Sequence, residues 1–311
     1  MDTIAAVAGA LEEQRAAELT DCVTRAANTS GGWPYYAGKG SRIEPTCWAL
    51  LALRGAWSGT DADWSAFAVP HVTFLQGCQR SDGLLTDTAQ SSPNLMAEGL
   101  AACILADLFP ELRATFLPRL LRGIVAVKGI KVNETDTRQD NTLQAWPWYP
   151  DTFSWLEPTA WCVLALKKFR ALDTPGAADR LAEAERMMEN RSCQTGGWNF
   201  GNASALGQDL RPHVPPTATA LLALHDRRAQ PVVMRGLAFL DQARVKEISG
   251  MALGLTALCL RIYDRDTTEV EARLALAAEN TQALGNVYPM AIALHALTAA
   301  QHQARTLRVP A

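Results

Sequence analysis

Three stretches of this chain start alike and run alike. Residues 44–53 read EPTCWALLAL, residues 157–166 read EPTAWCVLAL, and residues 216–224 read PTATALLAL behind Pro215. Each opens on Pro-Thr and continues as small and leucine-rich sequence without charge. A helix that is apolar on nearly every side has no face to give to water and is buried all round. Its recurrence points to a repeat architecture, in which neighbouring units cover one another's apolar surface. In all, six such runs recur, at 45–53, 94–105, 158–166, 216–224, 249–260 and 288–298.

Six amphipathic segments alternate with them, at about 5–27, 61–79, 111–128, 177–193, 231–245 and 267–284. In the first, Leu11, Arg15, Leu19, Cys22, Val23 and Ala26 set apolar residues mostly three and four apart, with Glu12, Glu13, Glu18 and Arg25 between them. Strict alternation of buried and amphipathic helices predicts two concentric layers. The expected fold is all-α, an (α/α)6 toroid of six helical hairpins with inner and outer rings, in a single domain over 1–311. Strand alternation is absent except for a short hairpin expected within 130–150. The links are unequal. Those from inner to outer helix are short, whereas 28–44, 80–93, 129–157 and 194–215 are long. Long loops on a rigid scaffold tend to carry function, and in this topology they gather over the N-termini of the inner helices.

Composition narrows the function classes. A net charge of −3 gives no electrostatic case for nucleic acid. No apolar run reaches the roughly 18–20 residues that span a bilayer, and the start, MDTIAAVAGALEEQR, lacks the basic region of a signal peptide. The seven cysteines, at 22, 47, 78, 103, 162, 193 and 259, form no CxxC pair. They read as buried thiols of a reducing compartment, the cytoplasm. The histidines at 71, 225, 295 and 302 have no metal-ligand spacing, so neither a metal nor a cofactor is expected.

GGWPYYAGKGSRIEPTCWALLAL (31–53) and CQTGGWNFGN…PPTATALLAL (193–224) resemble the repeats of squalene–hopene cyclases and of protein prenyltransferase β subunits. In that superfamily a Gly-Gly-aromatic turn follows an outer helix, and a Ser/Thr-rich start opens an inner helix. The resemblance covers nearly the whole chain and implies the toroid, although this chain has room for one barrel where the cyclases have two. It also implies an isoprenoid ligand. The family's DxDD acid motif does not occur here. Aligned on the threonine, Glu44 and Glu157 fall where its middle Asp stands, and Pro45 and Pro158 replace its last one. No Asp-x-Cys stands at the position of the prenyltransferases' zinc ligands.

Glu157, with Glu44 second, is therefore the candidate general acid. Proline suits the first helical position, which would set both glutamates at or just before the helix cap. There the helix dipole favours the carboxylate by about 0.3–1 kcal/mol, so a charge placed for helix stability is the competing reading. A proton donor must be neutral, which takes strong desolvation or a like charge nearby. Aromatic side chains stand ready upstream, in QAWPWYPDTFSW (144–155). Trp146, Trp148, Phe153 and Trp155, with Tyr36, Trp48 and Trp161, form the expected ligand-facing set, and aromatic faces attract cations by about 0.5–2 kcal/mol each. The competing reading for the Gly-Gly-Trp residues Trp33 and Trp198 is a wedge between helices. Arg42 and His213, with Lys39, Arg80 and Arg211, lie in the loops of the same end and suit an anion such as a diphosphate. NETDTRQDN (133–141) offers Asp136, Arg138 and Asp140 to a head group or magnesium, or is a solvated loop.

The expected function is a terpene cyclase-like, isoprenoid-handling enzyme with an apolar central cavity and acid-initiated cyclisation or isomerisation. The alternatives are a non-catalytic lipid- or partner-binding toroid and a zinc-independent transferase using a prenyl diphosphate. The expected partner is a small isoprenoid or other apolar ligand. No protein partner is indicated, and a peripheral membrane contact stays open, although no insertion like the cyclases' is visible.

Overall fold

The computed structural model describes residues 2–133, 138–298 and 306–310. It is all-helical apart from one two-residue hairpin. The helices are α1 (Asp2–Arg25), α2 (Ile43–Ala56), α3 (Asp61–Gly77), α4 (Leu95–Leu108), α5 (Leu112–Thr115), α6 (Leu117–Ala126), α7 (Leu156–Lys168), α8 (Ala177–Asn190), α9 (Val214–Ala223), α10 (Pro231–Ala243), α11 (Gly250–Ile262), α12 (Thr268–Ala283) and α13 (Val287–Thr298). All six small-residue runs are helices, namely α2, α4, α7, α9, α11 and α13. The amphipathic segments fill the places between them. The segment expected at 111–128 is broken into α5 and α6, with Pro118 in the first turn of α6, where its missing N–H leaves no bond unmade.

The chain divides into two compact units. One holds the described residues of 1–78 and 244–305. In it, α13 packs against α2 and α11, and α1, α3 and α12 lie against these three. The other holds those of 79–243 and 306–311. There α7 packs between α4 and α9, with α6, α8 and α10 against them. The division of labour follows the sequence. In α2 every residue from Ile43 to Leu53 is buried, and in α4 every residue from Leu95 to Ala106. In α8 only Arg180, Leu181, Ala184, Met187 and Met188 are.

One clamp recurs at the turns that lead into inner helices. The Trp33 backbone N–H donates to Thr46 Oγ1 at 2.8 Å, that of Trp146 to Thr159 Oγ1 at 3.1 Å, and that of Trp198 to Thr217 Oγ1 at 2.8 Å. The indole N–H of each tryptophan reaches back to the preceding outer helix, to Val23 O, Ile124 O and Met188 O, each at 2.7 Å. All three rings are fully buried. At about 25 cal/mol per Å², burying some 200 Å² of indole contributes about 5 kcal/mol. The Gly-Gly pair is required because the turn presses on the next outer helix. Gly31 has φ +98°, and a Cβ there would lie 2.2 Å from Pro70 O. Gly196 has φ +89°, and its Cβ would lie 2.7 Å from Arg235 O.

Two expectations are corrected. Among the described residues of 130–150, which leave out 134–137, there is no hairpin. The described residues there make single bridges, Ile130 to Phe153 and Pro147 to Ser154, and the described hairpin pairs Ser204–Ala205 with Gln208–Asp209. Its turn residues, Leu206 and Gly207, have φ of +50° and +70°, the mirror-image turn that matches strand twist. The second concerns the helix starts. α2 and α7 begin two residues before Pro45 and Pro158, so the prolines are third in the helix. A proline is tolerated there too, because the first four N–H groups of a helix have no partner within it.

Candidate functional site

Because the helices start early, Glu44 and Glu157 are second residues of α2 and α7 and lie within the first turn. The capping positions belong to Arg42 and Trp155, whose extended backbones lead in without a side-chain cap. Both glutamates remain at the positive end of a helix dipole.

In the unit that holds α7, the segment 144–155 is tied down by two buried arginines of the α8 region. Arg180 donates to Gln144 O at 2.6 Å, Val127 O at 2.8 Å and Ala145 O at 3.1 Å, and its guanidinium lies 4.3 Å from the Trp146 ring centroid. Arg191 donates to Ser154 O at 2.5 Å and lies 4.2 Å over Phe153. Burial lowers both guanidinium pKa values, that of Arg191 to about 10. Terminal guanidinium nitrogens of each are met by carbonyl oxygen and the plane by an aromatic face, while among the described residues the buried Nε of each has no hydrogen-bond partner.

Thus held, part of the expected aromatic set converges at the start of α7. Phe153 and Trp155 meet edge to face at 6.4 Å. Trp155 lies on the backbone of Gly201, where a Cβ would come within 2.5 Å of its ring. The Phe200 carbonyl takes the Leu156 N–H at 2.8 Å, and the Phe200 ring stands 5.4 Å from that of His213. Trp155 and Phe200 are each 37% exposed, so the cluster offers open aromatic surface at the helix start where the half-buried Glu157 is the second residue. Phe200, which joins it, is signalled by its place two residues after Trp198.

Other expected residues are differently engaged. Trp146 is a clamp wedge with no exposed surface. Trp48 and Trp161 are buried in α2 and α7, with Trp48 facing His295 at 6.3 Å and the Trp161 backbone against Gly99. Trp148 is half-buried, and its carbonyl accepts the Leu95 N–H at 3.0 Å.

In the other unit, Glu44 is 7% exposed and accepts a short hydrogen bond from the Tyr35 hydroxyl. Tyr35 meets Tyr288 edge to face at 6.4 Å, and its carbonyl accepts the Val287 N–H at 2.9 Å. Tyr36 is half-exposed, with its hydroxyl 3.3 Å from Asn286 Nδ2. Arg42 is half-buried, and its backbone serves the Trp33 clamp.

The polar run gives little to a ligand. Asp136 lies outside the described residues. Arg138 pairs with both carboxylate oxygens of Asp209, and Asp140 is bound by the Thr142 hydroxyl and N–H. Arg80 pairs with Asp82 at 3.0 Å.

One acid was not foreseen. Glu98, in the first turn of α4, is 1% exposed, and the Leu85 N–H points at both its oxygens, at 2.8 and 3.0 Å. Burial pushes its pKa well above the usual carboxylate value, with Asp82 and Asp87 adding to the rise and the Leu85 N–H and Arg80 opposing it. The signal was present in spacing. Leu85 precedes Glu98 by thirteen residues, as Trp33 precedes Thr46 and Trp146 precedes Thr159.

No family model matches the chain, and no curated protein does. Among solved structures it is similar to a protein from Actinoplanes, with 12% identity and a TM-score of 0.54, over 94% of this chain and 99% of that one. At that identity the likeness bears on the fold alone. Among the described residues, no helix is long and apolar enough to cross a membrane.

Proposed function

We propose that the six hairpins form one (α/α)6 toroid and that the protein handles an isoprenoid or similarly apolar chain at the N-terminal ends of its inner helices, as a terpene cyclase-like enzyme. The observation that carries this reading is the partly open aromatic group of Phe153, Trp155 and Phe200 at the start of α7, the helix whose second residue is Glu157. Such faces can bind a polyene and steady a positive charge formed on it. Glu157 is the acid in this scheme. An empty site favours its anion through the helix dipole. A bound apolar chain that displaces water favours the neutral acid, so proton uptake accompanies binding. The acid then gives its proton to an alkene carbon, whose π pair forms the new C–H bond and leaves a cation among the rings. Loss of a proton from a neighbouring carbon to the carboxylate ends the cycle.

A binding toroid without catalysis is the second reading. It is favoured by the use of Trp33, Trp146 and Trp198 as wedges, which leaves fewer aromatic faces for a cation.

The test is incubation with linear terpenoids and prenyl diphosphates, with product analysis for wild type, Glu157→Gln and Trp155→Ala. New cyclic or isomerised products from wild type, lost in Glu157→Gln, support the enzyme. Equal turnover by wild type and Glu157→Gln removes Glu157 from the acid role. Retention of an unchanged ligand by wild type, weakened several-fold in Trp155→Ala, supports the binding toroid.

A further inference from the structure

We propose that Glu98 works as an un-ionised carboxylic acid that latches the 79–94 segment onto α4, so that the segment opens as pH rises. The first support is positional. In three repeats a threonine hydroxyl accepts the N–H of the turn residue, and Thr159 and Thr217 each also stand 3.2 Å from that residue's carbonyl. A hydroxyl can both accept and donate. In the 79–94 repeat the clamp residue is Glu98, and the turn residue, Leu85, is fully buried like the three tryptophans. A neutral carboxylic acid keeps both capacities of the hydroxyl, whereas a carboxylate can only accept.

The second support is the surroundings. Among the described residues no Lys, Arg or His forms an ion pair with Glu98. Arg80, on the same segment and paired with Asp82, and the Leu85 N–H favour a charge on Glu98, but burial outweighs them and Asp82 and Asp87 repel that charge. On α7 the Cys162 thiol, itself fully buried, is electrostatically coupled to Glu98 and donates to Leu95 O at 3.3 Å. Glu157 lies at one end of α7, and Lys167 and Lys168 at the other. On α6 the charged residues are Arg119, which donates to Arg80 O at 2.9 Å, and Arg122, and both are exposed. On α4 itself Cys103 is buried, and Asp107, at the far end, pairs with Lys168. One N–H does not compensate a buried charge, so ionisation requires the segment to part from the helix and admit water.

The start of the segment is also tied to α6 and to the Phe116 turn before it, and the rest is held by bonds within the segment. Arg80 N–H donates to Leu84 O at 2.8 Å, Gln79 Nε2 reaches Gly83 O and Phe116 O at 3.0 and 3.2 Å, and Ser91 bonds Thr88. Leu85 to Glu98 is the bond that joins its middle to the inner helix.

The test is hydrogen exchange of the 79–94 segment in the full chain between pH 6 and 8, corrected for intrinsic exchange, for wild type, Glu98→Gln and Glu98→Thr. If opening releases a proton, the wild-type opening constant rises up to about ten-fold per pH unit until the latch ionises in place. Neither variant has that proton, so both stay flat. Equal pH dependence in wild type and Glu98→Gln overturns the proposal. As a check independent of Glu98→Gln folding, wild type carrying 13C-labelled glutamate should give one carboxyl signal at the neutral-acid position at pH 6, absent in Glu98→Thr. If every glutamate signal lies at the carboxylate position, the latch is refuted.

Discussion

Thr159→Val isolates the clamp with little change of shape. Thr159 is fully buried, and its hydroxyl accepts the Trp146 N–H at 3.1 Å and stands 3.2 Å from Trp146 O. That carbonyl has a second donor, the Trp155 N–H at 3.0 Å. Valine therefore leaves a single orphan, the buried N–H of Trp146. An unmade bond of this kind costs about 1–3 kcal/mol, and the added methyl returns less than 1 kcal/mol. The expected loss is about 1–2 kcal/mol. Thr159→Ser keeps the hydroxyl and loses one buried methyl, at about 1 kcal/mol, and leaves the Trp146 N–H bonded. Urea unfolding followed by circular dichroism measures both, and exchange at the Trp146 amide reports the bond itself. The expected outcome is a Trp146 amide that loses protection in Val and retains it in Ser. If Val is as stable as wild type and the amide stays protected, the threonine is incidental to the repeat.

Two further outcomes concern the turns of this fold. His71 accepts the Gly32 N–H at Nδ1, at 2.9 Å, and lies 4.0 Å from the Trp33 ring, and burial lowers its pKa to about 4. A base whose folded pKa lies below its unfolded value of 6.5 contributes stability that is whole above pH 6.5 and is lost as pH falls towards 4. The loss is at most about 3 kcal/mol, and His71→Asn, which can keep the acceptor, should remove that part of the acid sensitivity. Identical pH profiles of the urea midpoint for the two proteins would contradict this. Gly196→Ala meets both a left-handed φ and Arg235 O, whereas Gly207→Ala meets the same φ region with open space. Thermal melts should show a loss of about 1–2 kcal/mol for Gly207→Ala from backbone strain alone and a larger loss for Gly196→Ala, and equal losses would remove the close-approach argument.

Much of the helical layout was legible because burial demand is written locally. A run such as LMAEGLAACILADL has no polar face, so its helix is enclosed wherever it packs, and AADRLAEAERMMEN shows its single apolar stripe. The Gly-Gly-Trp turns were legible as possible wedges for the same local reason. The split of 111–128 at Phe116 and the early starts of α2 and α7 were harder to read, because helix ends depend on what the turn before them bonds to.

The sequence by itself determined the alternation of enclosed and amphipathic helices, the turns between them and the acids at the starts of α2 and α7. It did so because periodicity, proline and glycine act over a few residues. Tertiary structure alone decided which of those side chains are spent on the scaffold. Trp146 and Trp155 lie nine residues apart in one aromatic stretch, yet the first is sealed by Ile124 O and Arg180 and the second lies half-open on Gly201. Glu98 reads as an ordinary helix glutamate until Leu85 folds onto it. Burial and the company of other charges set the state of an acid, and both come from residues distant in the chain.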